Sequence, residues 1–320
     1  MMRTAGDYNA GTTALCERAL VTVIGNAGFW GRHLYLVGGM VPRYLTVPPL
    51  PPEPPHAGTQ DIDLAVALAL DLANTADYET LASNLSTSGF RQTDQAFRWC
   101  RDVDGVTVVL ELLCETDQVE FGSSFKPRAG TGSRLQALNV RGIASVAKDH
   151  RLVDVTAARL DDGGVARATI RVAEILPFIA LKVNAFQNRH AHKDAYDIVY
   201  VLQNQPGGPE DAGRQMAASP VVGTPFIRES IDLLRERFGE PGNDGPVAYA
   251  RFGEVTGDPD ETARRSNVAV AVVAQALAVF DPAVRGAATG EVLAAEQMAV
   301  PLDPADLRRE LDAQSGREPG

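Results

Sequence analysis

Two glycines close one apolar run, and about twenty residues later an acid–x–acid triplet opens another. No other feature constrains this chain as much. Leu34-Tyr35-Leu36-Val37 reads as a buried strand that ends at Gly38-Gly39. Lacking side chains, a glycine pair lets backbone amides approach a ligand closely. Met40 to Leu45 reads as a short helix whose first amides face the same point, and a helix start attracts phosphate. Arg43 either adds positive charge there or is simply solvated. Asp61-Ile62-Asp63 heads the second run. Residues i and i+2 of a strand share a face, so Asp61 and Asp63 project together while Ile62 points away. Side-by-side carboxylates repel unless a cation separates them. Magnesium, a hard ion that prefers oxygen ligands, suits them. The plainer alternative is an acid pair at a strand edge or cap. Thr59, two residues upstream, is placed to turn its hydroxyl toward the same site.

Between the two motifs lies PPLPPEPP, Pro48 to Pro55, with six prolines. It forbids helix or central strand and predicts an extended insertion. Before the motifs, residues 1–10 read as a frayed tail and Thr12 to Ile24 as a helix. Gly25, Gly28 and Gly31 precede a strand instead of following one, so they read as a helix stop and not as a dinucleotide fingerprint. After the motifs, Asp77 to Leu85 reads as a helix. Phe90 to Cys100 and Val106 to Cys114 read as a hairpin turning at Asp104-Gly105. Glu111 is the single charge within VTVVLELLC, and a buried carboxylate is costly unless paired, protonated or metal-bound. A solvated strand face is the other reading. Phe121 to Ser133, with Lys126, Arg128 and the nearby Arg134, reads as a loop and not a P-loop. Val165 to Val172 reads as a strand.

The second informative stretch runs from Leu176 to Leu202. Pro177 suits a first helical turn. Lys182 interrupts the apolar spacing of Phe178, Ile179, Leu181, Ala185 and Phe186. Further on, Lys193, Asp194 and Asp197 gather on one face by i, i+3 and i+4 spacing. Ordinary surface pairing of Lys193 with Asp197 is the bland reading. His190 and His192 read as solvated or capping residues, since i and i+2 diverge on a helix.

Taken in order, Gly38-Gly39, Asp61-Ile62-Asp63, Lys182, Arg189, Lys193, Asp194 and Asp197 resemble the nucleotidyltransferase superfamily with a polymerase-beta-like core. Within it they are similar to the AbiEii/AbiGii family, the toxin halves of toxin–antitoxin and abortive-infection pairs. The resemblance covers roughly residues 10–205. It departs at Met40, where many relatives carry Ser or Thr, and at the proline insertion. It implies a magnesium-dependent enzyme that moves a nucleoside monophosphate from an NTP to an acceptor, with tRNA one option and an antitoxin as a protein partner. It implies Asp61, Asp63 and Glu111 as metal ligands. Lys182, Asp194 and Asp197 then serve catalysis, while Gly38, Gly39, Arg43, Thr59 and Lys193 contact nucleotide. A tRNA-end or small-molecule (antibiotic) nucleotidyltransferase and a non-catalytic NTP-binding module are the alternatives. The Arg-Arg-Asp segment of the tRNA-end-adding group is missing.

The expected fold is α+β: a nucleotidyltransferase-type mixed β-sheet with flanking helices, then a helical C-terminal part. Expected divisions are a core at 10–130, an extension at 131–204 and a helical domain at 205–315. Helices are expected at Phe226 to Phe238, Glu261 to Phe280 and Pro304 to Ala313, with a disordered QSGREPG end. The net charge of −11 argues against a general nucleic-acid coat protein. Residues 131–204 nonetheless hold ten Lys/Arg against seven Asp/Glu. Three cysteines, Cys16, Cys100 and Cys114, show no pairing motif, and the N-terminus shows no signal peptide, so a reduced, cytoplasmic protein is expected. The longest apolar run, Val268 to Phe280, is interrupted by Gln275 and reads as a buried helix and not a membrane span.

Overall fold

The computed structural model describes residues 4–49, 54–66, 75–126, 135–253 and 258–298, with no side-chain placement for 29, 75–80 and 285–298. Prolines 51 and 52, Arg128, Arg134, Pro304 to Ala313 and the C-terminal QSGREPG lie outside the described residues. The chain divides into a compact unit, Met1–Phe280, and a second, Asp281–Gly320.

The fold is mixed α+β. Helix α1 (Ala10–Asn26) leads to β1 (Leu34–Val37), a tight 3-10 turn at Gly38–Met40 and α2 (Pro42–Leu45). Next come β2 (Asp61–Val66), α3 (Thr75–Thr87), β3 (Arg91–Gln92), β4 (Arg98–Val103) and β5 (Val106–Cys114). Then follow β6 (Ser124–Phe125), β7 (Ala137–Asn139), α4 (Ser145–Lys148), β8 (His150–Ala158) and β9 (Val165–Ala173). The helical part comprises α5 (Ile175–Arg189), α6 (His192–Asn204), α7 (Gly208–Ala217), α8 (Pro225–Phe238), α9 (Asp244–Phe252) and α10 (Pro259–Met298).

Among the described residues nine strands form one sheet; seven run in the order β3-β4-β5-β2-β1-β9-β8, and β6 and β7 lie off that path, paired with each other. Its centre sets up the site. Strand β1 runs antiparallel to β2, with Val37 opposite Asp63. Strand β2 runs parallel to β5, pairing Asp61 with Val109 and Asp63 with Glu111. Along β5, Val108, Leu110, Leu112 and Cys114 are buried, while Thr107, Val109 and Glu111 turn to the other face. Ile62 and Leu64 of β2 are likewise fully buried. The two-residue period of a strand thus puts both acids of β2 and the one acid of β5 on a single face. Beyond the end of β4, β7 takes the free edge of β5 through Leu113 and Cys114.

Several elements differ from the sequence reading. Residues 4–10 of the expected tail are ordered: Thr4 and Asp7 form a capping box around a 3-10 turn, and the Asn9 side chain caps α1. The Phe90–Cys100 run breaks at Thr93–Phe97 into β3 and β4, where Gln95 accepts from the Arg98 amide. The stretch after Phe121 contains the short strand β6. Helices α7 and α9 are additional to the helices expected from the sequence. All three cysteines are free and buried.

In α10 the residues Ala269, Val272, Val273, Ala276, Leu277 and Phe280 are buried. This is the stripe of an amphipathic helix. Gly213 on α7 lies so close that a methyl group there would meet the Ala276 carbonyl oxygen at 2.2 Å. By length and composition, Pro259–Val284 also meets the measure of a membrane-crossing helix.

Candidate active site

A hollow at the mouth of β2 gathers most of the residues singled out by sequence. Its lining includes Gly39, Thr59, Asp61, Asp63, Glu111, Lys182, Arg189, Lys193 and Asp194. A second, more apolar cavity of about 180 Å³ adjoins it and shares Asp63, Glu111, Lys182 and Arg189. Val37, Leu113, Leu138, Ile143, Phe178 and Leu181 supply its apolar walls.

Gly38 is required by its neighbour. Its φ is +70°, and a methyl group there would stand 1.8 Å from Asp63 Oδ2. At Gly39 a methyl group would meet Thr59 Oγ1 at 2.6 Å and come within 3.5 Å of Lys193 Nζ. The glycine turn is therefore packed against Asp63, Thr59 and Lys193, the residues expected beside it. Thr59 donates its hydroxyl to Asp61 Oδ1 at 2.6 Å. Among the described residues neither Asp61 nor Asp63 is ion-paired with a basic side chain. Burial raises the Asp63 pKa well above the ordinary carboxylate value, and repulsion from Asp61 and Glu111 adds to it. Burial and the same two aspartates push the Cys16 thiol up to about 12, which leaves it inert as a nucleophile.

Glu111 stands where the third carboxylate was expected, in register with Asp63. It is bridged by Arg98, its cross-strand partner on β4, which donates through Nε at 2.8 Å and through a second nitrogen. Among the described residues no trio of His, Cys, Asp or Glu is gathered closely enough to hold a metal ion. The Asp61–Asp63 pair suits a hard cation, being two oxygen donors that repel each other, a repulsion the charges of Lys182 and Arg189 offset only in part at Asp63. Glu111 joins them by position but is taken up by Arg98.

Across the hollow, α5 and α6 supply a buried charge network. Lys182 Nζ lies 2.7 Å from Asp197 Oδ2 and 3.1 Å from Asp194 Oδ1. Arg189 grips Asp194 with two hydrogen bonds of 2.7 Å. Lys193 Nζ reaches both oxygens of Asp197, at 2.8 and 2.9 Å. Burial works against ionising Asp197, yet Lys182, Lys193 and His56 together hold its pKa far below the usual range. At Lys182 burial is likewise outweighed by Asp197 and Asp194, so its pKa rises; at Lys193 burial prevails and its pKa falls. Lys193–Asp197 is thus a buried pair, not the surface pair the spacing also allowed. His190 caps α5 in a left-handed conformation, as its expected capping role requires.

Arg43 stands apart from the carboxylates. It lines a neighbouring hollow with Gly39, Met40 and His56, and Glu17 holds it through two hydrogen bonds of 2.9 Å. The basic excess of residues 131–204 is largely consumed internally. Arg141 pairs with Glu229, Arg151 with Glu174, Arg159 with Asp161 and Arg167 with Asp154. Lys182, Arg189 and Lys193 are the members of that excess that line the hollow.

Three residues of the site escaped sequence reading. Tyr8 lies under Lys193, with Nζ 5.4 Å from its ring centre. Arg98 neutralises Glu111. His56 donates to Asp197 from the end of the proline run. Only the cross-strand register could have pointed to Arg98, and nothing local pointed to the other two.

No protein-family model matches this chain, and no curated protein matches it in sequence.

Proposed function

We propose that this protein is a magnesium-dependent nucleotidyltransferase. It moves a nucleoside monophosphate from an NTP to an acceptor and releases pyrophosphate. The observation that carries this reading is the Asp61–Asp63 couple, without an ion-pair partner among the described residues, facing the ammonium of Lys182 across one hollow, at the foot of a glycine turn.

Magnesium, when bound, supplies positive charge to the triphosphate and to the attacking oxygen. Asp61 and Asp63 would hold it, with Glu111 third by position. Lys182 offers a fixed positive charge to the phosphates, and its two aspartates keep it protonated and aimed. Lys193 places a second ammonium beside Gly39. In the transfer, the acceptor oxygen bonds to the α-phosphorus, the bond from that phosphorus to the bridging oxygen breaks, and the acceptor proton passes to solvent. The resemblance to the AbiEii/AbiGii toxins puts tRNA first among acceptors and an antitoxin among partners. The internal pairing of Arg141, Arg151, Arg159 and Arg167 favours a small acceptor as the competing choice.

A second reading is an NTP-binding module without turnover. The Arg98 bridge to Glu111 is the observation in its favour, because it removes one carboxylate from metal binding.

The test incubates the protein with magnesium, each α-labelled NTP in turn, and either total tRNA or no added acceptor. An Asp61→Ala/Asp63→Ala double variant is the control. Label on tRNA from the wild type alone supports the transferase reading and the toxin role. Label on the protein itself points to protein modification. Nucleotide binding without transfer to tRNA, protein or a panel of aminoglycoside acceptors favours the non-catalytic module.

A further inference from the structure

His56 sits at the end of the proline-rich insertion, next to the acid strand, and one-tenth of its side chain is exposed. The Gly58 amide donates to its Nδ1 at 3.0 Å. A nitrogen that accepts carries no proton, so the proton of the neutral ring is on Nε2. Nε2 lies 2.9 Å from Asp197 Oδ1 and donates to it. The ring is clamped by Tyr196, stacked at 5.3 Å, and Tyr200, edge-on at 4.8 Å. Tyr196 in turn accepts the Ala57 amide at 3.0 Å, which ties the loop to α6.

With His56 in place, Asp197 accepts on both oxygens. Oδ1 takes His56 and Lys193; Oδ2 takes Lys182 and Lys193. A carboxylate offers about four acceptor positions. Four contacts from three donor groups therefore fix its plane, and that plane decides where the two ammonium groups point.

We propose that His56, as its neutral Nε2–H tautomer, is a positioning residue that locks Asp197 and thereby aims Lys182 and Lys193 at the phosphates of the nucleotide. The inference rests on the nucleotidyltransferase reading for its ligand, but not on turnover. The charged groups facing the ring are Asp197 and Lys193 of α6 and Lys182 of α5, with Arg43 of α2 lining the same hollow. Burial, the largest influence, and the two lysines lower the ring's pKa against the pull of Asp197. His56 thus stays a neutral donor at physiological pH.

The test compares wild type, His56→Ala and His56→Gln in the full chain. A glutamine amide nitrogen reaches the place of Nε2 and keeps the donor. Binding of magnesium with α,β-methylene ATP, which blocks transfer, is measured beside thermal melting and the labelled-transfer assay. His56→Ala is expected to weaken binding about tenfold, with His56→Gln within about threefold of wild type. Nitrogen-15 NMR of wild type is expected to show the Nε2–H tautomer at pH 7. Unchanged binding in His56→Ala overturns the proposal. So does equal loss in both variants with a matching fall in melting temperature, which marks a purely structural role. A charged or Nδ1–H ring at pH 7 overturns it as well, as does a wild type that binds no nucleotide. Wild-type binding without transfer defeats only the transferase reading.

Discussion

The Asp63 carboxylate lies where a side chain on residue 38 would stand, 1.8 Å from the position of a methyl group. The glycine follows β1 directly and the acid lies on the adjacent strand β2, and each is placed by the other. Gly38 takes a φ of +70°, which costs a residue with a side chain about 1–2 kcal/mol. Gly38→Ala is therefore expected to lower stability by at least ~1–2 kcal/mol, with a further cost for displacing Asp63. Urea denaturation measures the first effect, and magnesium titration is expected to show weakened binding from the second. An unchanged midpoint would mean that the turn relaxes freely.

Asp63 is expected to destabilise the metal-free protein. Its folded pKa is raised by burial, Asp61 and Glu111, so ionising it costs more in the native state than in the unfolded chain. Its contribution is most favourable below the unfolded carboxylate pKa and is lost as pH rises through the folded value. In chelator at pH 7, Asp63→Asn should melt higher than wild type. That gap should close as the pH falls toward about 4. Magnesium should raise the wild-type melting point and leave the variant's unmoved. Equal magnesium shifts in both proteins would remove Asp63 from the metal site.

Asp197 has the opposite sign. Lys182, Lys193 and His56 overcome burial and depress its pKa. Its stabilisation is present above the unfolded carboxylate pKa and is lost as pH falls toward the folded value. Asp197→Asn leaves two buried ammonium groups short of a counter-charge, and breaking such a pair costs about 3–5 kcal/mol. The difference from wild type should be largest near neutrality and shrink below about pH 4. Denaturation curves over that range check both size and sign.

Arg98 competes with any cation for Glu111. The Arg98 side chain is 39% exposed, so the pair contributes little to folding, about 0–1 kcal/mol. Arg98→Gln should leave stability nearly unchanged and tighten magnesium binding roughly fivefold, the equivalent of about 1 kcal/mol. Calorimetric titration decides it. Weaker binding in the variant would mean that Arg98 helps to build the site.

Periodicity and residue chemistry in the sequence determined the strands β1, β2, β5 and β9, the helices α1, α5, α6 and α8, and the side-by-side direction of Asp61 and Asp63. Those properties depend on residues close together in the chain, where the two-residue period of a strand and the 3.6-residue period of a helix suffice. The Lys182, Lys193, Asp194 and Asp197 set was legible for the same reason, as charges inside or beside apolar stripes. The tertiary structure alone decided that Asp63 and Glu111 lie in register, because strand pairing is a choice among distant partners. It alone turned Lys193–Asp197 into a buried network, since helix spacing is identical on a wet or a dry face. It also brought in Tyr8, Arg98 and His56. Their roles arise from where α1's lead-in, the β4–β5 register and the return of the proline-rich loop set them, and no local pattern of residues encodes those positions.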